Sequence, residues 1–288
     1  MKASIGLTLV VLLAGCTTAR IGPPPPALRL APFYTRSIDA GGIPVSGSNA
    51  VPDKALRAAR SIIDAMLARR PDLRRALVAE GQRVAIMGRE EGTLDLPEQS
   101  DWKKPAIDDP RLTRCERKHY EERIGQRSDR DYWNARARGM GGLLTSAATE
   151  NLLGEPGTRY YGENIFVHEF SHAILGAVRT ADPALYQQVE AAYADAMQRG
   201  LWKGEYGSTT VDEYWAEGTQ FWFESNKVVV IDGRQILSAA DISAYDPALA
   251  RVLRSVYGDR HHLKADIFWR HPARVPPGGP PTSTAEVC

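Results

Sequence analysis

The chain has 288 residues with 36 Lys+Arg against 35 Asp+Glu, a formal net charge of +1, and 43% hydrophobic side chains. That balance excludes a disordered or collagen-like chain and leaves no overall positive field to draw a nucleic acid. The length suits one large domain or two small ones with a sizeable buried core.

Lys2 precedes an apolar stretch over residues 5–13, far shorter than the ~20 residues a membrane-spanning helix needs and typical of a secretory signal. The stretch ends in Leu13-Ala14-Gly15-Cys16, which resembles the lipobox of bacterial lipoproteins. The resemblance implies cleavage before Cys16, a lipid anchor on that residue and, because Thr17 follows it, an outer-membrane location. Several acyl chains at ~0.8 kcal/mol per buried methylene hold a protein firmly to a bilayer. Lys2 is the only charge among residues 1–15, so the remaining chain carries 35 charges of each sign. With Cys16 lipidated, Cys115 and Cys288 remain. An exported chain permits a bridge between them, and two separate thiols is the other reading.

Residues 16–32 include Pro23 to Pro26 and read as an extended membrane spacer outside the core. A helix is expected over 52–69, with Leu56, Ala59, Ile63, Met66 and Leu67 at helical spacing, and a short one over 72–80 stopped by Gly81. Residues 83–87 read as a strand. From 108 to 138 charges of both signs are interleaved, as on a solvated face, and His119 belongs to that face. Better defined helices follow over 164–178, with Asn164 as its cap, 183–199 and 211–225. A short strand is expected over 226–231 and a last helix over 247–256. Residues 272–288 begin as a Pro- and Gly-rich tail. The pattern is α+β with a helix-rich second half, a single domain over 33–271 between two tails.

The chemistry is concentrated in residues 162–223. His168-Glu169-Phe170-Ser171-His172 is an H-E-x-x-H motif. Residues four apart on a helix lie on one face about 5–6 Å apart, so two imidazoles reach one metal ion at ~2.0–2.1 Å. Glu169, turned toward the edge of that face, is placed to take a proton from water. Val167, Phe170, Ile174 and Ala177 form an apolar stripe behind the histidines.

A catalytic zinc takes three protein ligands and keeps one position open. The metzincin continuation would need Gly at 175 and His at 178, where this chain has Leu175 and Val178. A later helix offers Glu213 and Glu217, four apart on one face, after about forty residues that include another helix. A glutamate third ligand follows from that arrangement.

The combination of His168-Glu169-Phe170-Ser171-His172-Ala173, Glu205-Tyr206-Gly207-Ser208 and Glu213-Tyr214-Trp215-Ala216-Glu217 resembles the zinc metallopeptidases of the anthrax lethal factor catalytic-domain type. The resemblance covers 162–223 and hardly extends beyond. It implies a zincin-like fold, with a small mixed sheet packed on the metal helix. It also implies one Zn2+ on His168, His172 and Glu213, with Glu169 as general base and Tyr206 as donor to the oxyanion. In related gluzincins an acid at the place of Glu217 orients a ligand histidine through its free ring N–H. The expected substrate is a protein or peptide. A zinc-binding lipoprotein without catalysis and a zinc amidase acting on cell-wall peptides are the other readings.

The remaining groups have plainer roles. His261 and His262 are adjacent and cannot chelate together in a strand, which leaves them and His271 a poor accessory site. Trp215, Phe221, Trp222 and Phe223 are expected in the core.

Overall fold

A computed structural model describes residues 20–280. Residues 1–19 and 281–288 lie outside the description, and with them the signal segment, Cys16 and Cys288. Among the described residues no helix is long and apolar enough to cross a membrane.

The chain opens with a hairpin, β1 (Arg36–Asp39) and β2 (Pro44–Gly47), paired antiparallel. Two helices follow. In α1 (Asp53–Met66) residues Ala55, Leu56, Ala59, Ile62, Ile63 and Met66 recur at helical spacing and are all buried. Next, α2 (Pro71–Glu80) starts on Pro71 and stops where Gly81 takes a left-handed conformation, φ 78°, a turn that costs a residue without Cβ nothing. The strand β3 (Arg83–Met87) spans the residues expected and returns parallel to β2.

The charged segment then folds as α3 (Arg114–Lys118), a π-helical turn Glu121–Gly125 and α4 (Asp129–Arg136). A capping box starts α3: Glu116 N–H donates to Thr113 Oγ1 at 3.2 Å, and Thr113 N–H donates to Glu116 Oε2 at 3.0 Å. Leu112, Ile124 and Tyr132 form a small core of their own. The segment is therefore not only a solvated face. Cys115, on α3, is fully buried and disulfide-bonded.

Two further strands complete the sheet, β4 (Gly139–Met140) and β5 (Leu144–Ala148), followed by α5 (Thr149–Leu152). The order is β1-β2-β3-β5-β4, with β5 parallel to β3 and β4 antiparallel at the edge. Both faces are covered. Val45, Val84, Ile86 and Ala147 join the main core, while Ala85, Met87 and Ala148 pack with Tyr34 and Leu96 on the other side. This explains the lack of polar alternation in β3.

The second half is mostly helical: α6 (Ile165–Ala181), α7 (Pro183–Gln198), α8 (Val211–Trp222), α9 (Ala239–Tyr245) and α10 (Pro247–Tyr257). A hairpin, β6 (Val229–Ile231) and β7 (Arg234–Ile236), interrupts them and turns on Asp232 and Gly233, both at positive φ. Trp215, Phe221, Trp222 and Phe223 are buried, as expected of core aromatics. The α+β class, the small mixed sheet against the H-E-x-x-H helix and the helix-rich second half match the expectation from sequence.

The two tails are less detached than their proline content suggests. Gly22 pairs with Ser37 by two backbone hydrogen bonds of 2.7 and 3.1 Å, and Ile21 packs on the main core. Near the other end Arg274 is 3% exposed. Its Nε donates to Asn226 O at 2.7 Å, and its carbonyl accepts from Val228 N–H at 2.8 Å. Proline limits helix in these segments to the single 3-10 turns Pro26–Leu28 and Pro272–Arg274 but does not stop flanking residues from docking.

Candidate metal centre

Two asparagines fix the start of α6. Asn164 Oδ1 accepts from Val167 N–H at 3.3 Å, and Asn151 Oδ1 accepts from Ile165 N–H at 2.9 Å, so two of the helix's orphan donors are satisfied. Phe166, Val167, Phe170, Ile174 and Ala177 bury the back of the helix. That leaves His168 and His172 on the other face, one turn apart, with ring centroids 5.0 Å apart.

The partner helix α8 starts at Thr210, whose Oγ1 accepts from Glu213 N–H at 3.1 Å. Trp215 Nε1–H donates to Ser171 O at 3.0 Å and ties α8 to α6 in the middle of the metal motif. This crossing brings Glu213 over the histidines. Its Oε2 lies 3.0 Å from His168 Nε2 and 3.6 Å from His172 Nε2. Its other oxygen accepts from Tyr206 O–H at 3.1 Å. The short turn carrying Tyr206 is held in place by Tyr193, whose O–H donates to Ser208 O at 2.9 Å.

The donor set fits a zinc ion. Bonds of ~2.0–2.1 Å in a tetrahedron put neighbouring donor atoms about 3.3 Å apart, and the two distances from Glu213 to the imidazoles fall on either side of that value. His168, Glu169 and His172 also each offer a ligand atom within 4.8 Å of one another. Glu169 and Glu213 thus both reach the histidines. Glu213 approaches both Nε2 atoms from the opposing helix, and Glu169 stands beside them at the cleft.

The electrostatics reflect a crowded set of acids. Burial raises the Glu213 carboxyl, but its hydrogen bonds to the two histidines outweigh this and hold it well below the usual carboxylate range. Burial alone would lower His168; the Glu213 hydrogen bond and the charges of Glu213, Glu169 and Glu217 instead raise it to about 10. Glu169 is pushed up by burial, against the pull of the two histidines. Glu217 is pushed up to about 7, also by burial. Several acids gathered in a partly desolvated place cost free energy that a divalent cation offsets.

Glu217 does not make the hydrogen bond to a ligand histidine that the family resemblance implied. Its carboxylate stands 3.7 Å from His168 Nδ1, beyond hydrogen-bond distance, and accepts from Asn226 Nδ2 at 2.9 Å. The group facing His168 Nδ1 is Gln220 Oε1, at 3.0 Å. Residues 213, 217 and 220 share one face of α8, so helical spacing does not choose between them. The choice depends on side-chain depth, which only the packing of α6 on α8 decides.

Two glycines also escaped the sequence reading. A Cβ on Gly139 would lie 3.0 Å from Glu169 Cγ, and one on Gly141 would lie 2.7–3.0 Å from three His172 atoms. The edge of the sheet therefore lies flush against the metal face of α6 because these positions have no side chain. The cluster Gly139-Met140-Gly141-Gly142 beside a strand was the available signal. Gly141→Ala is expected to cost about 1–3 kcal/mol of overpacking, relieved by displacing His172. Zinc affinity, read by chelator competition, should fall roughly tenfold with the fold intact; unchanged affinity would mean that the strand simply withdraws.

The metal face forms the floor of an open cleft of about 990 Å³. Its far wall comes from the charged segment, through Ile124, Tyr132 and Arg136 among others. There Arg136 pairs with Glu116 and joins α4 to α3. The remaining histidines are engaged elsewhere: His261 Nδ1 with Trp222 O at 2.9 Å, His262 stacked on Trp269, and His271 Nδ1 accepting from Ala273 N–H. His119 is partly exposed and lies 3.6 Å from Glu122.

No protein-family model and no curated protein matches the sequence. Among solved structures, the chain is similar to the Pro-Pro endopeptidase PPEP-2 from Paenibacillus alvei, at 15% identity and a TM-score of 0.40, over 69% of this chain and 90% of that one.

Proposed function

We propose that this chain is a zinc-dependent endopeptidase. The observation that carries the reading is Glu213 Oε2 standing within 3.0 and 3.6 Å of the two histidine Nε2 atoms, with Glu169 beside them at the floor of an open cleft. His168, His172 and Glu213 would hold the ion. Zinc in such a site supplies Lewis acidity, polarising an amide carbonyl and bringing the pKa of water toward ~7.

The residues of the chain divide the rest of the work. Glu169 takes a proton from the attacking water and returns it to the leaving amine. Tyr206, held by its hydrogen bond to Glu213, swings its hydroxyl to the oxygen that gains charge as the carbonyl becomes tetrahedral. Gly139 and Gly141 keep the sheet edge low enough for an extended peptide to lie over the metal face. The finer assignment, to a site of the lethal factor type, rests on the motif residues within 162–223 alone.

The test is cleavage of an unfolded protein substrate by zinc-loaded protein, with a chelator and with zinc restored. Cleavage that is lost and regained supports the reading, whereas an inert loaded protein contradicts it. Tyr206→Phe should keep its zinc and its KM but lose kcat by on the order of 10-fold to 10²-fold, less than a sole oxyanion donor because the ion shares that charge. Equal kcat in that variant would remove Tyr206 from the chemistry.

The envelope location is proposed from Leu13-Ala14-Gly15-Cys16. Lipid on Cys16 would hold the catalytic domain at the outer membrane, and Cys16→Ser should move the protein from the membrane fraction to the soluble one.

A further inference from the structure

Gln220 is 1% exposed, and its two amide atoms face groups of different character. Nε2 lies 3.1 Å from the backbone oxygen of Asn164, and Oε1 lies 3.0 Å from His168 Nδ1. A backbone carbonyl only accepts, so the atom facing it must be the amide nitrogen. That turns the amide oxygen, which also only accepts, toward His168. The ring nitrogen it meets must then carry a proton.

Asn164 cannot easily move to allow the opposite arrangement. Its backbone N–H donates to Ser225 O at 2.8 Å, and its side chain caps α6 through Oδ1. Its Nδ2 donates to Asp266 Oδ1 at 2.8 Å, an oxygen that also accepts from Phe268 N–H at 3.0 Å. Ser225 N–H in turn donates to the backbone carbonyl of Gln220 at 2.9 Å. The start of α6 and the end of α8 are thus joined in a hydrogen-bonded ring, to which the segment at Asp266 is tied through Asn164. A reversed Gln220 amide would set two acceptors 3.1 Å apart in a dry interior and lose the hydrogen bond to Asn164.

We propose that Gln220 is a positioning residue: its amide, oriented by Asn164, holds His168 in the Nδ1–H form, so that Nε2 presents its lone pair to the metal. The proposal rests on the metal-centre reading above. It gives Gln220 the part that an acid commonly plays in fixing a ligand histidine. An amide does so without adding another negative charge beside Glu169, Glu213 and Glu217.

The test is NMR of full-length protein labelled with 15N-histidine and loaded with 113Cd. The expected spectrum shows coupling of 113Cd to His168 Nε2 and a slowly exchanging proton on His168 Nδ1. Coupling to Nδ1 instead, or no protected proton there, overturns the proposal while leaving the metal centre standing. Wild-type protein that takes up no cadmium overturns the metal centre itself, and the proposal with it. Gln220→Leu, similar in volume but unable to accept, should bind zinc about 10–100-fold more weakly with unchanged near-UV circular dichroism. A variant that binds zinc as tightly as wild type also overturns the proposal. Should Gln220→Leu fail to fold, the wild-type spectrum alone decides.

Discussion

Glu169→Gln is expected to retain its metal and lose peptide hydrolysis by about 10²–10⁴-fold, the usual contribution of a general base. The amide matches the carboxylate in size, so the close approach of Gly139 to Glu169 Cγ survives. It cannot take a proton. Glu169 is also not needed as a ligand, because Glu213 reaches both histidines from α8. The informative measurement is kcat together with zinc content on the same preparation. Turnover near wild type would remove Glu169 as the base, while a loss of zinc would promote it to a ligand.

Glu213→Ala is expected to abolish zinc retention through dialysis. Sites with four ligands are worth about 10–16 kcal/mol in total, so one ligand corresponds to on the order of 3 kcal/mol, or two orders of magnitude in affinity. The substitution also removes the acceptor for Tyr206 O–H, and a buried donor without an acceptor adds to the cost. Glu217→Gln provides the contrast: Glu217 meets Asn226 and stands off from His168, so its zinc retention should stay close to wild type. The reverse ranking of these two variants would reassign the third ligand.

Beyond Glu213 and Tyr206, which the family resemblance supplied, what could be read from the sequence was encoded locally. The stripe behind His168 and His172 repeats every three to four residues, Asn164 stands where a cap belongs, and Gly81 stops α2, so those elements were legible residue by residue. The second strand of the hairpin at Asp232 and Gly233 was missed although Asp-Gly between two apolar runs is a good turn signal. The functions of Gln220, Gly139 and Gly141 were not legible. Each depends on the distance between elements far apart in the chain, and an amide or a glycine carries no chemical signature of its own. Glu217 shows the limit most clearly. It shares its face of α8 with Glu213 and Gln220, and only the depth at which α8 crosses α6 hands the His168 ring to Gln220. Proline content likewise foretold the lack of long helix near the ends but not the docking of Ile21 and Arg274.

X-ray absorption at the zinc edge on the purified, dialysed protein tests the central claim most directly. The account predicts one zinc per chain with a first shell of nitrogen and oxygen at ~2.0–2.1 Å, including the outer-shell scattering of two imidazoles. The same spectrum from Glu213→Ala should be too weak to analyse. A wild-type protein that emerges from dialysis without zinc, or a zinc surrounded by four protein ligands with no place for water, would contradict it.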